Sequence, residues 1–298
     1  MFTRRYIWSI AIMSTVLLFL VGCATSGQPP DPQSETSTTS PLKKPSPTSI
    51  LLTLTPESSL ILSELPMGPG AEWDLVVIGD SSMWKLADAF AAQIENDVGV
   101  KVLPHDVTIG GLEAGKVLRA LQTGDVLYGL PDTLREAEVV VMFVNPLLSI
   151  GPENPLDLEG CFAYQSKAPE SCSMDTLKVY IADLKEIWAE IIKLRAGQPT
   201  ILRATDIYNP LVNRWQLYDV FEACTECWVN LSEANRIAAE AYNIPFFSRL
   251  EVFNGPDYTD NPTEKGYIRN DGEHPTDLMG QHTAEMLAQL GYEPVSPP

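Results

Sequence analysis

Histidine and positive charge are scarce in this chain. Its 298 residues include only 3 histidines (His105, His274 and His282) and 5 cysteines. A zinc site built on Cys224-Thr225-Glu226-Cys227 would need two more ligands, and only those histidines are on offer. No metal site is therefore expected. Redox use of the same Cys-x-x-Cys normally lies between a strand and a helix of a thioredoxin-like unit, which the pattern does not show. Lys and Arg total 20 against 39 Asp and Glu, a formal net charge of −19. So acidic a surface repels nucleic acid and anionic lipid headgroups, so no nucleic-acid partner is expected. Plain solubility of an exported protein accounts for it. No internal repeat is visible, which sets aside solenoids and propellers.

What is present begins with an export signature. Arg4 and Arg5 precede an apolar run from Tyr6 to Val21, followed by Gly22 and Cys23. The run is short for a membrane span. A basic start, a short apolar stretch and a small residue at the cut site make a signal peptide over 1–22. Leu20-Val21-Gly22-Cys23 resembles the bacterial lipobox, in which the signal is cut before the Cys and that Cys is lipidated. An uncleaved N-terminal anchor is the alternative. Residues 23–70 are rich in Ser, Thr and Pro and bury too little apolar surface to offset their ordering entropy. They read as a tether, interrupted by Ile50-Leu51-Leu52 and Leu60-Ile61-Leu62, one of which docks on the domain. Residues 71–298 have globular composition and fit one domain. Its four cysteines, Cys161, Cys172, Cys224 and Cys227, suggest two disulfides in an exported protein. Three pairings are open, of which Cys161–Cys172 with Cys224–Cys227 is the most local.

Within the domain, short apolar runs alternate with helical periodicity. Strands are expected at Asp74–Ile78, Val100–Leu103, Ala137–Val144, Pro199–Ala204 and Ile244–Phe247. Helices are expected at Met83–Ile94, around Val117–Leu121, and over Asp175–Arg195, Leu231–Tyr242 and Thr276–Leu290. Ser149 to Ser173 reads as a loop, as does Leu250–Arg269, and Ile207–Trp228 as irregular, with Tyr208, Trp215 and Tyr218 bordering a site or filling the core. Five strands alternating with helices give an α/β class with a parallel sheet.

Polar groups recur where strands end. Ser81 and Ser82 follow the first strand, where a hydroxyl meets the amides of a helix N-terminus. Either serine could instead cap that helix. Gly110-Gly111 follows the second strand, where a glycine admits close backbone approach or merely serves a positive-φ turn. Asn145 ends the third strand, able to donate to an oxyanion or to form an Asx turn before Pro146. Asp271 and His274 share a tight loop before the last helix. A neutral imidazole held by a carboxylate is what acyl transfer needs to take a proton from a hydroxyl, although Asp-x-x-His also caps helices.

The joint order of these residues resembles the SGNH (GDSL) hydrolase family, named for Ser, Gly, Asn and His in four blocks. Gly79-Asp80-Ser81 matches the first, with Ser82 where Leu is usual. Gly111 matches the second, Asn145 the third, and Asp271-x-x-His274-Pro275 the last. Two departures fall in the third block, where Phe143 replaces Gly and crowds the oxyanion pocket, and Pro146 removes a backbone donor. The resemblance spans Asp74 to Leu290. It implies a three-layer α/β/α, flavodoxin-like fold with a five-stranded parallel sheet. It also implies ester hydrolysis without cofactor: Ser81 as nucleophile, His274 as base, Asp271 as its orienter. The Ser81 and Gly111 amides and the Asn145 side chain would form the oxyanion hole. His105 and His282 show no partner pattern and are expected to be structural or exposed. The expected substrate is a glycan or small-molecule O-acyl ester, reached from a lipid anchor outside the cell. Lysophospholipid hydrolysis and a non-catalytic surface binding protein are the alternatives.

Overall fold

The structure, a computed structural model, describes residues 65–68, 70–124, 127, 129–145, 161 and 172–296. The signal segment, Cys23, most of the tether with both its apolar interruptions, Pro146 and most of the 149–173 loop lie outside the described residues.

Five strands form one parallel sheet: β1 (Glu72–Gly79), β2 (Lys101–Thr108), β3 (Val139–Phe143), β4 (Ile201–Thr205) and β5 (Phe246–Phe247). Their order is β2-β1-β3-β4-β5, all pairs parallel. This is the flavodoxin-like doubly wound order, whose switch point lies between β1 and β3. The helices are α1 (Leu86–Val98), α2 (Ala114–Thr123), α3 (Leu130–Glu136), α4 (Lys178–Arg195), α5 (Val212–Leu217), α6 (Phe221–Glu240), α7 (Arg249–Asn254) and α8 (Asp277–Ala288).

Strand alternation divides the interior in two. Val76, Ile78, Val140, Met142 and Leu202 face a core closed by α2, α3, α4 and α6. Leu75, Val77, Val139, Val141 and Ile201 face a second core closed by α1 and α8. Both faces of β1 and β3 are covered, so these strands are near-continuous apolar runs. Burying each such side chain contributes about 1.5–3 kcal/mol. Leu65 is buried in the second core and the Trp73 indole donates to the Pro66 carbonyl at 2.8 Å, so ordered contacts begin ahead of β1.

Three expectations change. β2 runs on through Pro104, His105 and Asp106, well beyond Leu103. It is an edge strand, where proline and polar residues are tolerated because one side needs no partner. The stretch read as irregular contains α5 and the first half of α6, a 20-residue helix reaching from Phe221. Helix α7 occupies the start of the expected 250–269 loop.

The disulfides join Cys161 to Cys224 and Cys172 to Cys227, with Cα separations of 5.5 and 5.0 Å. Because α6 is helical, Cys224 and Cys227 lie side by side on one face with Cβ atoms about 5–6 Å apart, too far to bond each other. They reach instead toward Cys161 and Cys172. The bridges close loops of 63 and 55 residues, each worth about 4 kcal/mol in a chain-entropy account.

Candidate active site

The carboxyl edge of β1 ends at Gly79. A Cβ there would lie 2.3 Å from Met83 Cγ and 2.7 Å from the Phe143 carbonyl, so only glycine lets the chain turn this close to β3. The turn that follows is a short 3-10 helix over Ser81–Met83. Its cap is Asp80, whose Oδ1 accepts from the Ser82 amide at 2.8 Å. Neither serine is needed for capping, and the Ser81 side chain lines a small cavity.

The opposite wall comes from the far end of the chain. His274 Nδ1 lies 3.0 Å from Asp271 Oδ2, while Asp271 Oδ1 accepts from the amides of Glu273 at 2.9 Å and His274 at 3.0 Å. The His274 and Glu273 amides, ahead of the imidazole, hold the Asp271 carboxyl down at about 2. Helix α8 is capped by Thr276, which accepts from the Met279 amide, so the Asp271/His274 pair is not the helix cap. Gly280 explains how this loop reaches Ser81. A Cβ at 280 would meet the Lys85 carbonyl at 2.5 Å, so a bare backbone lets α8 press on the segment that follows the Ser81–Met83 turn.

Gly111 and Asn145 are stitched together by backbone. The Asn145 amide donates to the Leu112 carbonyl at 3.2 Å, and the Ala114 amide to the Asn145 carbonyl at 3.1 Å. Gly111 adopts φ +66°, and its α-carbon faces open space. Asn145 Nδ2 donates to Asp80 Oδ2 at 3.0 Å, so its amide is turned toward the start of the Ser81–Met83 turn.

The structure thus places Ser81, Asn145 and His274 around one cavity of about 100 Å³, with Asp80 and Glu273. Ile207, Tyr208 and Trp228 form its apolar wall. Gly111 is brought alongside through the Asn145 ladder. Among the described residues no hydrogen bond joins Ser81 to His274; such contacts often tighten only when substrate binds. Phe143 corrects an expectation: its ring is buried in the second core, 1% exposed, and does not line the cavity.

Two buried charges were not anticipated. Arg249 Nη1 donates to the Ser82 carbonyl at 2.6 Å and Nη2 to Ser82 Oγ at 3.2 Å, which gives the unusual Ser82 a partner. Its guanidinium lies 5.3 Å from the Phe143 ring centre and 5.5 Å from that of Tyr208. Asp206, at the end of β4, accepts from Ser248 Oγ at 2.6 Å and from the Arg249 and Leu250 amides at 2.5 and 3.1 Å. Burial pushes the Asp206 carboxyl upward, against these donors and the Arg249 charge. The only advance signal for either residue was polarity at a strand end. Of the three aromatics thought to border the site, Tyr208 does, and its hydroxyl donates to the Glu273 carbonyl at 2.8 Å. Trp215 is fully buried in the core, and Tyr218 is exposed.

The other two histidines have structural partners that no sequence pattern marked. His105 Nε2 lies 2.5 Å from Asp74 Oδ1 on adjacent strands. His282 Nδ1 is 3.4 Å from Glu285 Oε2 on α8. Neither lines the cavity.

No family model and no curated protein sequence matches the chain. Solved structures do resemble it. A lipase from a goat rumen metagenome is 18% identical at a TM-score of 0.50, covering 74% of this chain and 98% of the lipase. A lipase/acylhydrolase from Enterococcus faecalis is 12% identical at 0.44, covering 76% and 98%. The psychrotrophic esterase EstA from a Pseudoalteromonas species is 11% identical at 0.43, covering 73% and 97%. The likeness to the rumen lipase establishes a shared fold: the α/β/α architecture with a five-stranded parallel sheet that the sequence resemblance implied.

Proposed function

We propose that this protein is a serine ester hydrolase of the SGNH type, working outside the cytoplasm on short O-acyl groups of carbohydrate or small alcohols. One observation carries the reading: Ser81 and His274, from opposite ends of the domain, line one cavity while Asp271 grips the far imidazole nitrogen. Ser81 Oγ attacks the ester carbonyl as His274 takes its proton, and the carbonyl oxygen becomes an oxyanion. The Ser81 and Gly111 amides and the Asn145 side chain stabilise that charge. Collapse expels the alkoxide, which takes the proton from His274 and leaves an acyl-serine. Water, deprotonated by His274, attacks the acyl carbon, and the acid departs as Ser81 recovers its proton. Asp271 keeps Nδ1 protonated, so Nε2 is the nitrogen free to accept.

The small cavity and its wall of Ile207, Tyr208 and Trp228 favour a short acyl group over a long chain. The Leu20–Cys23 motif and the two disulfides support a lipid-anchored protein in an oxidising compartment. Asn145's engagement with Asp80 is the observation that favours a binding protein instead. A fluorophosphonate should label Ser81 in the wild type and fail to label Ser81→Ala. Acetyl esters should turn over faster than octanoyl esters. A wild type that takes no label and cleaves no ester in a broad panel, yet binds glycan, would establish the binding reading.

A further inference from the structure

The turn that carries the nucleophile also carries an indole. Trp84 follows the Ser81–Met83 turn directly, and its amide donates to the Ser81 carbonyl at 3.3 Å. Its ring stacks on the His274 imidazole, with centroids 4.6 Å apart and planes 17° from parallel. The Arg269 guanidinium lies over the same indole at 5.7 Å. Trp84 also approaches Gly110, whose added Cβ would stand 4.0 Å from Trp84 Cζ2. The indole therefore bridges three segments that the site requires: the Ser81 turn, the Gly110-Gly111 loop and the Asp271/His274 loop.

His274 is restrained both from its own loop and from outside it. Tyr208 holds the preceding Glu273 carbonyl, which fixes the backbone but not the ring. Asp271 fixes one nitrogen, yet a single hydrogen bond leaves the ring able to rock about it. The stack on Trp84 limits that rocking. The π face of an indole also attracts a cation, so it favours the imidazolium that forms each time His274 takes a proton.

We propose that Trp84 is a positioning residue for the general base: by face-to-face stacking it holds the His274 ring against the Ser81 turn and stabilises the protonated ring during turnover. This inference rests on the esterase reading for its catalytic consequence, while the stack itself is tested without any reaction.

The charged and titratable groups around the imidazole set the background. Asp271 and Glu273 come from its own loop, and Arg269 from the segment before it. Asp80 lies across the cavity, and the Arg249 guanidinium beyond Ser82. Lys85 and Asp277 form an ion pair at 3.1 Å between the nucleophile turn and α8. The phenol of Tyr208 borders the same cavity. All of these remain in a Trp84 variant, so the difference between variant and wild type reports the indole.

The test is an NMR titration of the full chain's histidine ring protons, assigned with His105→Gln and His282→Gln, alongside steady-state kinetics on an acetyl ester. In Trp84→Leu the His274 ring protons should lose their ring-current shift. Its titration midpoint should move about half a unit toward acid, the size of an exposed cation–π contact. In kinetics, kcat should fall about tenfold with KM little changed, and the acid limb should move with the NMR midpoint. Trp84→Phe keeps a ring, serves as the reference should the leucine variant fold poorly, and should recover most of the ring-current shift and of kcat. A role in packing alone would lower the melting temperature and leave the His274 midpoint unmoved. Unchanged His274 shifts and midpoint in both variants would overturn the proposal. If the wild type cleaves no ester, the esterase reading fails while the NMR result still decides the stack.

Discussion

Among the described residues are two Asp–His pairs that are chemically alike and differently placed. Asp74–His105 joins neighbouring strands at 2.5 Å, and Asp271–His274 closes a loop at 3.0 Å. Both imidazoles are about one-third exposed, at 38% and 27%. In contact and exposure the two pairs are alike. Yet His105 lies mid-strand on β2, opposite Val76, away from the sheet edge where loops converge. His274 faces a serine across a cavity, with an amide side chain beside it and an indole on its ring. A carboxylate beside an imidazole is common structural chemistry. Position on the sheet is what sets one pair beside a serine and an amide side chain at the carboxyl edge.

Exchanging the two pairs in experiment gives the widest separation. His274→Ala should reduce kcat on an acetyl ester by about ten-thousand-fold or more, while His105→Ala should leave it within about twofold. Equal losses in the two would erase the distinction. The pH profile adds to it. Asp271 is held at about 2 in the folded chain, below its usual 3.9 or so when unfolded. Its favourable contribution is therefore complete above the unfolded value and is lost only as pH falls toward 2. Asp271 thus stays ionised on acidification to about pH 4, so activity lost above that pH does not come from its protonation. A limiting slope of two in log kcat/KM above about pH 4 would implicate two groups, with Asp206, raised by burial, the nearby carboxyl to test.

The next difference is at the strand end beside Ser81. Asn145 has both a structural task, donating to Asp80, and the proposed one at the oxyanion. A lost oxyanion donor costs about 3–4 kcal/mol of transition-state stabilisation. Asn145→Ala should therefore lower kcat about a hundredfold or more, with KM little altered. A loss under tenfold together with a clear drop in melting temperature would assign Asn145 to holding Asp80 alone.

The contrast between the pairs also shows what the sequence made legible. β1 and β3 were readable because Leu75–Ile78 and Val139–Phe143 are buried on both faces and leave no polar position to confuse the pattern. β2 was truncated because an edge strand carries Pro104, His105 and Asp106 without penalty. The same error hid Asp74–His105, since cross-strand partners become visible only when the register is known. Ser81, Asn145 and the Asp271/His274 loop stand out as candidates in the sequence because each sits at a strand end or in a motif with a chemical rationale, and the fold brings them together. Arg249 and Asp206 were missed because their meaning is long-range: nothing local marks an arginine on a short helix as the partner of Ser82. Cys224 and Cys227 were read as a spacing, when their helical placement decided the pairing.

The smallest expected effect is at the first pair itself. Asp74 and His105 are part-exposed, and such ion pairs contribute about 0.2–1 kcal/mol. For a domain of this size that is a melting-temperature change of no more than about 3 °C. Asp74 also stands near Glu138, which accepts from the Asp74 amide at 2.8 Å and whose carboxyl is raised chiefly by burial. Removing the Asp74 charge relieves one repulsion on Glu138 while losing the attraction to His105. Asp74→Asn should therefore destabilise less than His105→Ala, because the two consequences oppose each other. Melting curves of both single variants and the double variant, with acetyl-ester kcat measured on each, separate the terms. A coupling energy above about 1 kcal/mol, or any of the three variants losing more than about tenfold in kcat, would show that the strand pair has a part in the site that its placement denies it.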